Sequence, residues 1–170
     1  PVTGPGLWAA APVNRPTAGG RRVGWYVRNG EVLESLRAEG RNSRYLDDTE
    51  FDRDRIAPSD DLDAVVREAE VVILAAPSAY LKTFLEPLRT PLRANFVVSA
   101  ITGIVPGDYQ PVVDYTHDRY ELPYKQIGLN SGPSHPHRVS PGQLPHLTPH
   151  SPYPVHHTPL VPRFPPPPPP

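Results

Sequence analysis

Val71-Val72-Ile73-Leu74-Ala75-Ala76 is apolar on both faces. A strand that sends hydrophobic side chains in both directions must be covered on both sides, and a parallel sheet with helices on each face supplies that cover. Pro77-Ser78 then opens a predicted helix running to about Leu88, with Leu81, Phe84, Leu85 and Leu88 on one side. Asn95 to Ser99 is the next buried strand. The order strand, helix, strand at this spacing predicts a parallel α/β sheet.

The remaining elements follow the same rhythm. Arg22-Val23-Gly24-Trp25-Tyr26-Val27 is a β-rich run closed by the turn residues Arg28-Asn29-Gly30. Glu31 to Glu39 carries Val32, Leu33 and Leu36 at helical spacing, and Gly40 is a natural stop. Arg41 to Ile56 reads as polar and irregular. Ser59 is predicted to cap a helix with Asp60 and Asp61 in its first turn and Leu62, Val65, Val66 and Ala69 on its apolar stripe. Pro106 to Tyr120 is predicted as a further helix, and Gln126 to Asn130 as a further strand.

Proline divides the chain. Of 26 prolines in 170 residues, four fall in the first 16 positions and fifteen between Pro133 and Pro170, which leaves an ordinary number between. Six of the seven histidines also lie between His135 and His157. Pro136, Pro141, Pro145 and Pro149 block helices and demote strands, so regular structure is expected to fail from Pro133 onward. The expected organisation is one domain over residues 1–148 and a disordered Pro/His-rich tail over 149–170. The tail ends in six prolines that favour an extended polyproline II chain.

Several function classes are disfavoured. A net charge of −1 gives no basic excess for nucleic acid. The absence of cysteine removes disulfides, thiolate metal sites and cysteine nucleophiles. No apolar run approaches the roughly 20 residues of a membrane span, and no signal peptide opens the chain, so a soluble cytoplasmic protein is expected. The chain opens on Pro1 rather than methionine, from which an incomplete N-terminus is expected. His135-x-His137 and His156-His157 invite a metal reading. Without cysteines, and with no carboxylate after Glu121, they read better as part of a biased segment, and no metal is expected. No Ser-His-Asp set, phosphate loop or paired-carboxylate site stands out, and Asp60-Asp61 reads as helix-start chemistry.

Four places remain where a doubly wound sheet could meet a ligand. Gly4-Pro5-Gly6-Leu7-Trp8-Ala9 fits G-x-G-x-x-A, whose glycines let the backbone turn tightly and approach a pyrophosphate. The motif is weak alone. Only Pro1-Val2-Thr3 precedes it, too little for a full first strand, and Pro12 and Pro16 interrupt the helix that should follow. Arg28 ends the second strand, where an acid would favour NAD and an arginine can accommodate the 2′-phosphate of NADP; a solvated strand-end arginine is the alternative. Pro77-Ser78-Ala79-Tyr80 sits at the carboxyl end of a central strand, and a helix-start turn is the plainer alternative there. Val97-Val98-Ser99-Ala100-Ile101-Thr102-Gly103-Ile104-Val105-Pro106 ends another strand in a turn of small residues.

Five segments, in order and spacing, resemble bacterial-type NAD(P)-dependent glycerol-3-phosphate dehydrogenase. They are Trp25-Tyr26-Val27-Arg28-Asn29, Asn42-Ser43-Arg44-Tyr45-Leu46, Ala76-Pro77-Ser78, Ser99 to Pro106, and Ser131-Gly132-Pro133-Ser134-His135. The likeness is specific from Gly20 to about His135. It implies a Rossmann-like domain, here with an incomplete first βα unit, followed in the family by a helical domain. It also implies reduction of dihydroxyacetone phosphate to sn-glycerol 3-phosphate with NADH or NADPH, which feeds phospholipid synthesis. By position it implies that Gly4, Gly6 and Trp8 line the cofactor, that Arg28 meets its adenosine end, and that Tyr80 packs nearby. Gly132 and Ser134 fall where the family contacts substrate and nicotinamide.

The chain also departs from that family. Thr102 stands where the family has a lysine touching cofactor and substrate, and a hydroxyl cannot neutralise a phosphate as an ammonium can. Pro136 replaces a small alanine beside the cofactor. Lys82 and Lys125 are the two lysines, and neither sits in a motif matching the family's catalytic lysine, so no catalytic residue is assigned. Two alternatives to an active dehydrogenase follow: a non-catalytic remnant with residual nucleotide binding, and a proline-rich interaction module docking SH3- or WW-type grooves. Proline, histidine, arginine and glycine enrichment at both ends also suits a GC-rich gene read out of frame, so other frames of the coding DNA are expected to encode a regular first βα unit and a helical domain.

Overall fold

The computed structural model describes residues 2–3, 22–44, 50–101, 103–130 and 149–150. Among these, seven strands form one sheet. They are β1 (Val2–Thr3), β2 (Val23–Tyr26), β3 (Ile56–Ser59), β4 (Val71–Leu74), β5 (Phe96–Ser99), β8 (Ile127–Asn130) and β9 (Pro149–His150), in the order β3-β2-β1-β4-β5-β8-β9. Every pairing is parallel except β8 with β9. A separate antiparallel pair, β6 (Ile104–Val105) and β7 (Gln110–Pro111), follows β5. Among the described residues, α-helices lie between strands at α1 (Gly30–Glu39), α2 (Leu62–Arg67), α3 (Leu81–Leu85) and α4 (Val112–Tyr120). This is the Rossmann-like parallel sheet expected from the sequence. Its first strand is only two residues long, yet it takes an inner place. Val2 and Thr3 pair with Trp25 and Tyr26 on one side and with Ile73 and Leu74 on the other. The backbone groups of two neighbouring strands need partners there, and even a short strand supplies them. β9 lies within the stretch set apart from the domain on composition.

The helix α1 is written in its own caps. The Asn29 side chain accepts from Val32 N–H at 3.0 Å, and Gly40 closes the helix in the left-handed region at φ 68°. Gly40 is also a close approach: a Cβ there would stand 2.6 Å from the Phe51 carbonyl oxygen, whose residue's N–H donates to the Gly40 carbonyl at 2.7 Å. That contact seats Phe51, 1% exposed, beneath Trp25.

Four local readings are corrected. The sequence predicts an irregular stretch from Arg41 to Ile56 and a cap at Ser59, whereas Ile56–Ser59 is strand β3, carrying Pro58. The strand lies at the sheet edge, where a missing N–H breaks no ladder. Arg37 donates to the Pro58 carbonyl at 3.3 and 3.4 Å. The cap of α2 is Asp61, which accepts from Ala64 N–H at 2.9 Å, while Ser59 Oγ accepts from Asp61 N–H at 3.0 Å. The stretch after Pro77 is a 3-10 turn, Ser78–Tyr80, followed by a five-residue helix rather than one helix to Leu88. The helix predicted from Pro106 starts at Val112, because Pro106, Gly107 and Pro111 shape the β6–β7 hairpin instead.

The core has two main parts. One joins α2, α3 and α4 to the sheet through Leu62, Val66, Leu81, Phe84, Val97 and Ile127 among others. The other joins α1 and Phe51 to Trp25, Val27 and Ile56. Asn95, 4% exposed, ties the end of α2 to β5: its amide donates to the Val66 and Ala69 carbonyls at 3.1 and 2.6 Å.

Candidate functional site

β1 leads to β2 on one side of the sheet, and β4 leads to β5 on the other. The order therefore reverses between β1 and β4, and helices that leave neighbouring strands on opposite faces open a crevice at the carboxyl ends there. The turns after β2, β4 and β5 line this edge.

Arg28 stands two residues past β2 and is exposed. Its Nη1 donates to the Thr83 carbonyl at 3.5 Å, and its guanidinium carbon lies 5.9 Å from the Phe84 ring centre. The side chain thus reaches from the end of β2 to α3, the helix that follows β4. The hydrogen bond is long and weak, so the guanidinium keeps donors for a ligand. Tyr26, just before it, has its phenol pushed up by burial, an effect that Arg28 opposes and Asp60 reinforces.

Tyr80 closes the 3-10 turn after β4 and is 65% exposed, with its N–H donating to the Pro77 carbonyl at 2.9 Å. After β5 the chain turns on Ser99, 1% exposed: its hydroxyl accepts from Ile101 N–H at 3.2 Å and faces the Ile101 carbonyl at 3.3 Å. Gly103 follows at φ 116°, a conformation that favours glycine, and a Cβ there would meet only Ser78 Oγ at 3.5 Å. The turns after β4 and β5 are therefore neighbours, as the strand order requires.

Of the residues singled out in the sequence, Arg28 and Tyr80 are placed at this edge. Gly4, Gly6, Trp8, Thr102, Gly132, Ser134 and Pro136 lie outside the described residues. Three features had no signal in the sequence reading: the Phe84 ring beneath Arg28, the hairpin after β5, and the Lys82–Asp108 ion pair at 2.5 Å that ties this hairpin to α3. A cation at Lys82 and an acid at Asp108 are unremarkable until the fold brings them together.

Two concavities among the described residues lie on the flanks of the helices. One, of about 870 Å³, runs between α3 and α4 past Arg89, Arg93 and Tyr120. The other, of about 430 Å³, lies beside Arg37, Phe51 and Arg53. Open α/β sheets bind at the strand carboxyl ends, so the crevice is the stronger candidate, although the segments following β1 and β8 lie outside the described residues. Among the described residues no helix is long and apolar enough to cross a membrane.

Strand order, switch point and a basic residue ending β2 define a doubly wound domain of the dinucleotide-binding class. A family model described as "NAD-dependent glycerol-3-phosphate dehydrogenase N-terminus" matches residues 1–154, and the chain belongs to that family. Glycerol-3-phosphate dehydrogenase [NAD(P)+] of Ectopseudomonas mendocina is 31% identical over 133 residues, which cover 78% of this chain and 38% of that protein. Its counterpart from Chlorobium luteolum is 30% identical over 143 residues, covering 82% and 42%. The chain thus spans about two-fifths of the length of these relatives. Among solved structures, Plasmodium falciparum glycerol-3-phosphate dehydrogenase superposes with a TM-score of 0.74 at 20% identity, over 85% of this chain and 43% of that one. The Coxiella burnetii enzyme gives 0.69 at 21%, over 83% and 42%. At these identities the two structures establish the fold.

Proposed function

We propose that the chain is the cofactor-binding part of a glycerol-3-phosphate dehydrogenase, holding NAD or NADP at the carboxyl edge of the sheet. The single observation that carries the reading is Arg28, an exposed guanidinium at the end of β2 beside the switch point, where this fold class meets the adenosine end of a dinucleotide. Tyr80 offers an exposed ring at the neighbouring strand end. Gly4, Gly6 and Trp8 line the same cofactor. Thr102, Gly132, Ser134 and Pro136 complete the site towards nicotinamide and a small phosphate substrate, dihydroxyacetone phosphate or glycerol 3-phosphate. The cofactor supplies the hydride; the chain's own residues bind and orient it.

For the 170-residue chain alone, binding without turnover is the favoured reading, and Thr102 favours it. Hydride delivery to a ketone needs a group that protonates the developing alkoxide, and the position whose ammonium could assist holds a hydroxyl. Lys82 is engaged with Asp108.

Calorimetric titration with NADH and NADPH tests the reading. At least one cofactor is expected to bind and to raise the melting temperature, since a ligand of the native state stabilises it by mass action. Arg28→Ala is expected to weaken the bound cofactor about tenfold or more, as loss of a hydrogen bond to a charged group costs about 1.5–3 kcal/mol. No binding of either cofactor would refute the proposal. Dihydroxyacetone phosphate-dependent NADH oxidation is expected to stay at background.

A further inference from the structure

The guanidinium of Arg28 does not hang free. Two groups of α3 lie against it: the Thr83 carbonyl oxygen, 3.5 Å from Nη1, and the Phe84 ring, whose centre is 5.9 Å from the guanidinium carbon. Phe84 is itself immobilised. It is 4% exposed and packs edge-on against Tyr26, with centroids 5.0 Å apart and planes at 72°. Tyr26 belongs to β2, two residues before Arg28. The strand that carries the arginine and the ring that supports its head therefore share one packed aromatic pair.

An exposed arginine has many rotamers, and ordering it when a ligand binds costs conformational entropy. A ring beneath the guanidinium and a carbonyl at one nitrogen remove part of that cost in advance. They also use one face and one nitrogen while leaving other donors open. A planar fork with free donors suits a phosphate. The end of β2 reads Val27-Arg28-Asn29, and Asn29 is spent on capping α1, so no carboxylate stands there to accept from a ribose hydroxyl. Asp60, after β3, is a charge that acts on Tyr26 from the same corner.

We propose that Phe84 is a positioning residue for cofactor choice: its ring, with the Thr83 carbonyl, presents Arg28 to the 2′-phosphate of NADP(H) and so favours it over NAD(H). This rests on the cofactor reading above, and it adds a residue of α3, behind the site, that acts only through Arg28.

The test is the ratio of NADPH to NADH affinity, measured by calorimetry on the full chain. Wild type is expected to favour NADPH, and Arg28→Ala to bring the ratio close to one. Phe84→Leu is expected to lower the ratio about twofold to fivefold, the size of an exposed cation–π contact, with little change in NADH affinity. Phe84→Tyr keeps a ring and is expected to restore the wild-type ratio. In the Arg28→Ala background, Phe84→Leu is expected to change the ratio no further. Phe84→Met, an unbranched apolar side chain without a ring, takes the place of Phe84→Leu if that variant does not fold. A loss shared equally by both cofactors would show a merely structural role and overturn the proposal. So would an unchanged ratio in Phe84→Leu, or a wild type that favours NADH. If neither cofactor binds wild type, the cofactor reading itself fails and this proposal fails with it. Binding with an unmoved ratio defeats the positioning role alone.

Discussion

Trp25 and Tyr26 are neighbours in β2 and face opposite sides of the sheet, and each meets a phenylalanine edge-on. Trp25 packs on Phe51 at 5.2 Å and 73°, and Tyr26 packs on Phe84 at 5.0 Å and 72°. The geometries match, but the partners differ in origin. Phe84 comes from α3, an amphipathic helix that also underlies Arg28. Phe51 comes from an irregular segment pinned by the close approach to Gly40. One face of β2 is thus coupled to the candidate ligand edge, and the other packs the sheet on α1. Similar aromatic contacts can have different functional reach, because reach depends on what the partner touches next.

The largest expected effect tests this directly. Phe51→Ala and Phe84→Ala should each cost about 3–5 kcal/mol in urea unfolding, the usual range for a buried ring. Among variants mild enough to stay folded, Phe51→Leu should leave the ratio of NADPH to NADH affinity unchanged and Phe84→Leu should lower it. Equal effects of the two on binding would erase the distinction between the faces.

A smaller effect is expected at Asn95, on the α2–α3–α4 side. Asn95→Ala removes the amide donor to the Val66 and Ala69 carbonyls, of which Val66 keeps the Ala69 backbone N–H, and should cost about 1–3 kcal/mol. Hydrogen exchange at the end of α2 should rise more than in α1. A uniform rise would mean that the two faces unfold as one unit.

The smallest effects are pH-dependent and belong to the same side. Burial first, and then Tyr115, push the Tyr120 phenol up to about 12 against a lowering by Arg119. Its folded value lies above its ordinary 10.0, so its contribution is complete below that pH and lost as pH rises through about 12. Tyr120→Phe should flatten this alkaline loss in part, leaving the share of Tyr26, which burial also raises. Asp63 behaves oppositely. The Thr90 N–H, above all, holds its carboxyl below the ordinary 3.8, so its contribution is present above that pH and lost as pH falls further. Asp63→Asn should reduce the acid sensitivity of unfolding by well under about 1 kcal/mol, since the group is largely solvated. A pH profile identical to wild type in both variants would remove these groups from the account.

Strands β2, β4, β5 and β8 and the Gly40 stop of α1 were legible because their causes are local. Two-sided apolar runs and a glycine at a helix end each act within a few positions. Arg28 and Tyr80 were legible as edge residues because strand ends can be read from the runs themselves. Phe51, Pro58 and the β6–β7 hairpin were not. An aromatic in a polar stretch looks exposed until Gly40 admits it, and a proline argues against a strand until that strand proves to be an edge.

By itself, the sequence determined the α/β class, the four-residue cores of β2, β4, β5 and β8, and the family, since each is set by hydrophobic period or by motifs of fixed spacing. The tertiary structure alone decided that Val2–Thr3 sits between β2 and β4, that Ile56–Ser59 closes one edge, and that Arg28 rests on Phe84. Those outcomes join residues far apart in the chain, and their energies arise only when the sheet has assembled its order and brought the partners within contact.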